Sequence, residues 1–177
     1  MLIRNCTVKD IGNLVSLYQA CFAEPPWCEV FDRIELTTQF EEFISWQDAV
    51  FLVADDGDGA IVGGTLGYHQ ERKKDVGSVI SHDWRNSFYL AELFVSKQRR
   101  LQGVAKHLIA ARFDAARKKG FTSAVVRTST DQPIIRRLYE NIGYSVIASQ
   151  EVLSSKSVDG FQSLQKDSRV ILGGIIP

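Results

Sequence analysis

The sequence predicts a mixed α/β (α+β) fold in which helices cover both faces of a central mixed sheet. Two observations support this prediction. Apolar residues recur at helical spacing in some segments and form compact strand-like runs in others. The second half of the chain also repeats a strand-helix order that is typical of helices packed on a sheet. Because its 177 residues contain no internal repeat or low-complexity tract, we expect a single domain over residues 1–177.

The first predicted elements are a strand and two helices. Residues 2–5 can form a short strand. Thr7 and Asp10 then mark a helix start, because a hydroxyl can cap free amides and a carboxylate favours the positive end of a helix. The proline pair at 25–26 ends that helix, since proline lacks the amide donor. Apolar residues between 34 and 44 recur at helical spacing and predict a second helix.

The middle of the chain predicts a hairpin and a long connection. Residues 50–54 and 60–69 have the composition of strands, and the Asp/Gly-rich turn at 55–59 favours antiparallel pairing between them. Residues 70–87 are polar and irregular. Loops of this length inside a compact domain are commonly functional or mobile.

The second half alternates strands and helices before a polar segment. The predicted elements are, in order, a strand over 88–95, a helix over 102–118 that stops at Gly120, a strand over 123–128, a helix over 133–142, a strand over 144–153, a polar segment over 154–168 and a last strand over 169–176. The last two strands are expected to form a terminal hairpin. Residues 88–95 give the strongest strand signal of the chain.

Composition argues against nucleic-acid and membrane partners. Lysine plus arginine and aspartate plus glutamate both number 21, so the net charge is zero, whereas nucleic-acid binders usually carry a basic excess. No run of about 18 apolar residues is present, and the N-terminus becomes polar at once, unlike a signal peptide. We therefore expect a cytoplasmic protein.

The cysteines and histidines predict no metal site. Cys6, Cys21 and Cys28 form an odd set without paired metal-ligand spacing. The histidines at 69, 82 and 107 are too far apart in sequence to suggest a cluster. His69 and His82 are expected at the surface, with a position facing a substrate cleft as the alternative.

The central functional motif is a turn between the strand at 88–95 and the following helix. Gly103 carries no side chain, and small Ala105 keeps the next position open, so a phosphate can approach the free amides of the first helical turn. Arg99, Arg100 and Lys106 add positive charge at the same place. A pyrophosphate fits this chemistry, although a plain loop leading into a basic helix is the simpler alternative.

The segment Arg100-Leu101-Gln102-Gly103-Val104-Ala105 resembles the Gln/Arg-x-x-Gly-x-Gly/Ala signature of the GNAT superfamily of N-acetyltransferases. A second segment, Arg137-Leu138-Tyr139-Glu140-Asn141-Ile142-Gly143-Tyr144, is similar to the family's Leu-Tyr-Glu-Lys-x-Gly-Phe segment. The likeness covers roughly residues 2–152. It departs at two positions: Ala105 replaces a glycine, and Gln132 stands where the family often has asparagine.

The resemblance implies a mostly antiparallel sheet whose strands four and five splay apart around acetyl-CoA. The backbone of Leu93, Phe94 and Val95 would then bond to the pantetheine arm, as an added strand would. The phosphates would lie on the turn and helix start, and Gln132 and Tyr139 would also contact the cofactor. The implied phosphate-side residues are Arg100, Leu101, Gln102, Gly103, Val104, Ala105 and Lys106.

Two side chains are candidates for proton transfer. Tyr139 fits the general acid that protonates the departing thiolate, by resemblance, and its alternative role is a core aromatic among apolar neighbours. Glu92 is the only charged residue of the strand at 88–95, and by alternation it shares a face with Phe88, Leu90 and Phe94. Apolar surroundings raise a carboxyl pKa, which suits a general base. Its alternatives are an arginine ion pair or an exposed edge.

The expected function is therefore acetyl transfer from acetyl-CoA to a primary amine of a small molecule or peptide, by direct attack and without a metal. A catalytically silent acyl-CoA sensor is the alternative from another class. The segment Pro25-Pro26-Trp27-Cys28-Glu29 is expected to wall the acceptor site, with a helix connection as the alternative. The sequence does not identify the acceptor amine, and it leaves open whether the protein forms a homodimer.

Overall fold

The computed structural model describes residues 1–25, 27–158 and 161–177. Its strands are β1 Leu2–Asn5, β2 Val50–Asp55, β3 Ile61–His69, β4 Phe88–Val95, β5 Ser123–Ser129, β6 Ser145–Val158 and β7 Phe161–Ile175. Its helices are α1 Ile11–Phe22, α2 Arg33–Ser45, α3 Lys74–Gly77, α4 Val104–Lys118 and α5 Pro133–Glu140. Short 3-10 turns lie between several of these elements.

One seven-stranded sheet has the strand order β1-β2-β3-β4-β5-β7-β6. All neighbours are antiparallel except β4 and β5, which run parallel. Two apolar clusters lie on opposite faces. One contains α1 and α2 residues such as Leu14 and Phe40, and the other contains α4 residues such as Leu108 and Phe113 together with Tyr139 of α5. The predicted mixed sheet with helices on both faces is confirmed.

Strands β4 and β5 separate in the middle of the sheet. Their parallel pairing covers only Phe88 to Leu90 on β4, opposite Ala124 to Val126 on β5. Beyond Leu90, strand β4 keeps its antiparallel partner β3 as far as Val95. From Ala91 onward, one edge of β4 therefore has backbone groups that are not paired with β5. The predicted splay of strands four and five is confirmed.

The polar segment over 154–168, for which no strand was predicted, belongs to β6 and β7 apart from residues 159 and 160, which lie outside the described residues. Strands β6 and β7 pair from Ser145 opposite Gly173 to Val158 opposite Phe161, with a register shift between Val146 and Ala148. Most residues of the outer part are exposed, for example Leu153 and Leu164. One face of the outer part is half-buried at the cavity, but its residues are mostly polar, for example Ser154, Lys156 and Asp167, so no alternation of apolar and polar residues marks these strands.

The connection at 70–87 is more regular than its composition suggested. It contains α3, and 3-10 turns at Gln70–Arg72 and His82–Trp84. Buried Val76 fixes α3 to the α1 face of the sheet. In the part of the chain that the structure describes, no helix is long and apolar enough to cross a membrane.

Candidate active site

A cavity of about 740 Å³ lies where β4 and β5 separate. Its walls come from α1, the loop after α1, the open edge of β4, the start of α5 and the hairpin β6–β7. Several predicted cofactor residues line it, namely Leu93, Phe94, Val95, Arg100, Ala105, Gln132 and Tyr139. Leu101, Gln102, Gly103, Val104 and Lys106 are not among its lining residues.

The predicted phosphate turn has the backbone of a ligand-binding loop. Gly103 caps α4 with φ +84°, in the left-handed region that favours glycine. Leu101 adopts φ +62° although it carries a side chain, and that side chain is fully exposed. Strained residues of this kind persist where the surrounding structure holds them, often at ligand sites. The helix therefore presents its first amides at a turn that stays open.

The basic residues of the turn have partners within the protein. Arg100 donates to the carboxylate of Glu24 at 2.6 Å and to the backbone oxygen of Val95 at 3.1 Å. Arg99 donates to Asp56 at 3.2 Å. Lys106 is exposed. These arginines are thus held in place by carboxylates, and the free amides of α4 are the most direct anion-binding groups of the turn.

Glu92 faces the cavity from an irregular point of β4. The β3–β4 register shifts between Leu66 and Gly67, which pair with Glu92 and Leu90, so Ala91 is an extra residue in β4. An extra residue reverses the alternation of side chains along a strand. The expectation that Glu92 shares a face with Phe88 and Leu90 was therefore wrong.

Glu92 lies instead on the side of Phe94 and Tyr18. The rings of Tyr18 and Phe94 pack edge to face at 5.2 Å. Burial in these surroundings raises the pKa of Glu92 from its ordinary value of 4.5 to about 7, and the nearby Tyr18 hydroxyl offsets part of the rise. In the described part of the chain no ion pair is formed by Glu92. A carboxyl in this state can accept a proton near neutral pH.

Tyr139 reaches the cavity from α5 and is 1% exposed. Its ring lies 5.7 Å from that of Tyr144 in the α4-side core. Its hydroxyl oxygen accepts a hydrogen bond at 2.8 Å from Nη2 of Arg112, a fully buried residue of α4. Tyr139 thus packs as a core aromatic and also places a hydroxyl at the cavity wall.

The far end of the cavity is closed by contact between two distant segments. The loop at 27–29 pairs with the hairpin through a bridge between Glu29 and Lys156 and through a 2.7 Å hydrogen bond from Ser157 N to Cys28 O. The guanidinium of Arg169 lies 4.9 Å from the centre of the Trp27 ring. It also forms ion pairs with Glu29 at 3.7 Å and Asp167 at 2.6 Å.

The segment that was predicted to wall the acceptor site lies at this closed end of the cavity. Pro25, Trp27 and Glu29 line the cavity, while Pro26 lies outside the described residues. His69 and His82 are not lining residues: the His69 ring accepts from the Glu71 amide at 3.2 Å. Within residues 1–25, 27–158 and 161–177, no group of three or more His, Cys, Asp or Glu residues could hold a metal ion.

Sequence reasoning missed several cavity residues. Arg112 could have been found, because it is a lone charge on the apolar stripe of α4, between Ile109 and Phe113. Arg127 and Arg169 stand in segments with no helical or catalytic pattern, so the sequence carries no comparable signal for them. Only the pairing of distant strands brings them to one cavity.

Comparison with known proteins shows the family. Residues 13–144 match the model of the acetyltransferase (GNAT) family, which is more than half of the chain. The chain belongs to the GNAT family. The structures similar to it include the ribosomal-protein-alanine N-acetyltransferase of Brucella melitensis, with a TM-score of 0.75 at 17% identity over 99% of both chains. Another is YncA of Salmonella typhimurium, solved with its cofactor acetyl-CoA, with a TM-score of 0.74 at 15% identity over 100% of this chain and 94% of that one.

Curated relatives of this GNAT chain match parts of their own length. Acetyltransferase Atu2258 of Agrobacterium fabrum is 37% identical over 79 residues, which are 45% of this chain and 56% of the relative. N-acetyltransferase 8B of Rattus norvegicus is 30% identical over 128 residues, which are 69% of this chain and 52% of the relative. The chain thus spans about half the length of these relatives.

Proposed function

We propose that this chain is an N-acetyltransferase that moves an acetyl group from acetyl-CoA to a primary amine of a small molecule or peptide. The observation that carries the proposal is the open edge of β4 after Leu90, because Glu92 and Tyr139 face one cavity there, beside the start of α4. The names of the curated relatives and the acetyl-CoA bound to YncA support the choice of donor.

The donor would bind mainly through backbone groups. The pyrophosphate would lie on the first amides of α4 at Gly103, where the left-handed backbone leaves room for it. The pantetheine arm would lie along the edge of β4 at Leu93 to Val95, where β5 no longer pairs. Gln132, which caps α5 and lines the cavity, would face the same arm.

Glu92 and Tyr139 would share the proton transfers. A neutral amine attacks the thioester carbonyl carbon, the new C–N bond forms, and the C–S bond breaks. Glu92 takes the proton that leaves the nitrogen, and Tyr139 gives its phenolic proton to the departing sulfur. Exchange with solvent returns the proton from Glu92 and restores Tyr139, so that the site ends in its starting state.

The cavity cysteine supports direct attack. Cys21 is buried, and its thiol donates to the backbone oxygen of Val95 at 3.4 Å. Burial raises the pKa of Cys21, which disfavours the thiolate that a covalent acetyl-enzyme would need. Transfer without a covalent enzyme intermediate is the simpler course.

A panel of primary amines with acetyl-CoA tests the function. We expect acetylated product with at least one amine and a slower Glu92→Gln variant. If Glu92 is the base, the variant should lose most with strongly basic amines, which are mostly protonated, and recover partly with weakly basic ones. Equal loss with every amine would make Glu92 a positioning group. Acetyl-CoA binding without transfer to any amine would favour the silent sensor.

A further inference from the structure

A buried arginine connects the two proposed catalytic groups. Arg112 is 0% exposed and stands on the apolar stripe of α4. Its Nη1 donates to the backbone oxygens of Glu92 at 2.9 Å and Leu66 at 3.2 Å, and its Nη2 donates to the Tyr139 hydroxyl at 2.8 Å. Three oxygens, on β3, β4 and α5, are thus held by one side chain.

The charge of Arg112 is unusual for its position. In the described part of the chain, no carboxylate lies within ion-pair distance of it. A buried charge without an ionic partner costs several kcal/mol, and an apolar residue of similar volume would pack on the same stripe at less cost. Its Nε is also buried without a hydrogen-bond partner. Packing alone therefore does not account for an arginine here.

The direction of the hydrogen bond to Tyr139 has a chemical consequence. A guanidinium can only donate, so the phenolic oxygen must be the acceptor in this contact. The phenolic hydrogen is left for another partner. Tyr139 lines the cavity, and no hydrogen bond donated by its hydroxyl is formed within the described residues. The contact therefore leaves the proton free for a group that enters the cavity.

The other two bonds fix the neighbouring strand. Leu66 and Glu92 pair at the point where the β3–β4 register shifts. The oxygen of Glu92 accepts from Arg112 and also from the Thr65 hydroxyl at 2.9 Å. Arg112 thus ties the irregular part of β4, which carries the Glu92 carboxyl, to the hydroxyl of Tyr139 on α5.

We propose that Arg112 is a positioning residue for acetyl transfer, which holds the Tyr139 hydroxyl so that its proton points at the departing sulfur. This inference rests on the proposed function. Arg112 acts through the Tyr139 hydroxyl, and it needs no contact with the substrate. Its loss should lower turnover and leave acetyl-CoA affinity nearly unchanged.

A double-mutant cycle tests this role. Arg112→Met and Arg112→Lys are each made alone and together with Tyr139→Phe, and kcat is measured with an amine that the parent acetylates. Arg112→Met should lower kcat by on the order of 10²-fold, the size of loss that a misplaced catalytic group can cause. Arg112→Lys should retain part of the activity, because an ammonium keeps the charge but cannot reach all three oxygens. Arg117→Met on the exposed side of the same helix is the control.

The cycle separates positioning from structure. If Arg112 acts through the hydroxyl, Arg112→Met should cost less than about threefold once Tyr139 is phenylalanine, since coupled groups are not additive. An equal loss in both backgrounds would overturn the inference and make Arg112 a structural residue. If Arg112→Met does not fold, the same comparison with Arg112→Lys decides. If the parent acetylates amines and the Arg112 variants are fully active, only this inference is contradicted. An inactive parent would contradict the proposed function.

Discussion

The two ends of the cavity are built in different ways. The proposed donor end consists of the open edge of β4, which lines the cavity, and of the turn at 100–103 and the start of α4 beside it, which follow one another in the chain. Its ligand groups are largely backbone amides and an open strand edge. The acceptor end joins the loop at 27–29 to the hairpin β6–β7, more than 100 residues away, and its groups are side chains such as Trp27 and Arg169.

This difference explains why the family is evident and the acceptor is not. Backbone groups of a glycine turn recognise a phosphate that is common to every acyl-CoA. Side chains from two distant segments can change without disturbing the turn. We therefore expect mutations at the donor end to alter acetyl-CoA binding, mutations at the acceptor end to alter amine selection, and mutations at their junction to alter turnover.

The largest expected effect is at the junction. Tyr139→Phe should lower kcat by on the order of 10²-fold, as the loss of a general acid does, with acetyl-CoA affinity close to that of the parent. Steady-state kinetics and calorimetric titration measure the two quantities. Tyr144→Phe is a matched control, because Tyr144 packs on Tyr139 and its buried hydroxyl has no hydrogen-bond partner. Full turnover in Tyr139→Phe would mean that Tyr139 has only a packing role.

A smaller effect is expected at the donor end. Gly103→Val places a branched side chain at φ +84°, so the turn should relax from the left-handed conformation. Restoring that conformation on binding costs about 2 kcal/mol and should weaken acetyl-CoA binding by about 30-fold. Calorimetric titration of the folded variant gives the dissociation constant. Gly120→Val is the matched control, because Gly120 ends the same helix at φ +90° with nothing within 4 Å of the added Cβ. If both variants bind acetyl-CoA equally well, the turn is not part of the donor site.

A mutation at the acceptor end should change the kinetics with the amine and leave acetyl-CoA binding unchanged. Trp27→Ala removes a ring that lines the cavity beneath Arg169, and KM for the amine should rise about tenfold, as for a moderate contact residue. The acetyl-CoA dissociation constant should stay the same. Trp46→Ala is the control, since Trp46 also carries an arginine, Arg72, over its ring at 4.1 Å but does not line the cavity. A change in acetyl-CoA affinity instead would contradict the division into two ends.

The same division decides what could be predicted from the sequence. The glycine turn and the segment around Tyr139 are local patterns, so their elements and order were predicted correctly. The face of Glu92 was not, because the extra residue at Ala91 depends on how β4 pairs with Leu66 and Gly67 of β3. The alternation of residues within β4 does not indicate this pairing with β3.

The hairpin β6–β7 is a second feature that local sequence patterns do not predict in full. Its outer part has one exposed face and one half-buried face of mostly polar residues, so no apolar pattern marks residues 154–168 as strands. The ion pair of Arg169 with Glu29 forms only once the hairpin reaches the loop after α1. Arg112 is the exception, since a charge on an apolar helix stripe is visible in the sequence.

The last expected effect concerns stability and not activity, and it bears on the junction. Burial raises the pKa of Glu92 to about 7 in the folded protein, against an ordinary value of 4.5. Below pH 4.5 the carboxyl is protonated in both the folded and the unfolded chain, so the raised pKa costs nothing there. As the pH rises towards 7, the unfolded chain loses this proton first, and the free energy of unfolding falls. Above pH 7 both states are ionised and the cost stays constant.

Glu92→Gln removes this pH dependence because the amide does not titrate. The Tm of the variant relative to the parent should therefore rise between about pH 4.5 and 7 and level off above, by on the order of 10 °C for a pKa raised from 4.5 to about 7 in a chain of this size. Scanning calorimetry of both proteins from pH 4.5 to 8.5 gives the difference curve. A Tm difference that is flat with pH would mean that water solvates the carboxylate, and Glu92 would then lack the environment that a base in this cavity requires. A rising curve together with the partial recovery of activity with weakly basic amines would link the same burial to stability and to catalysis.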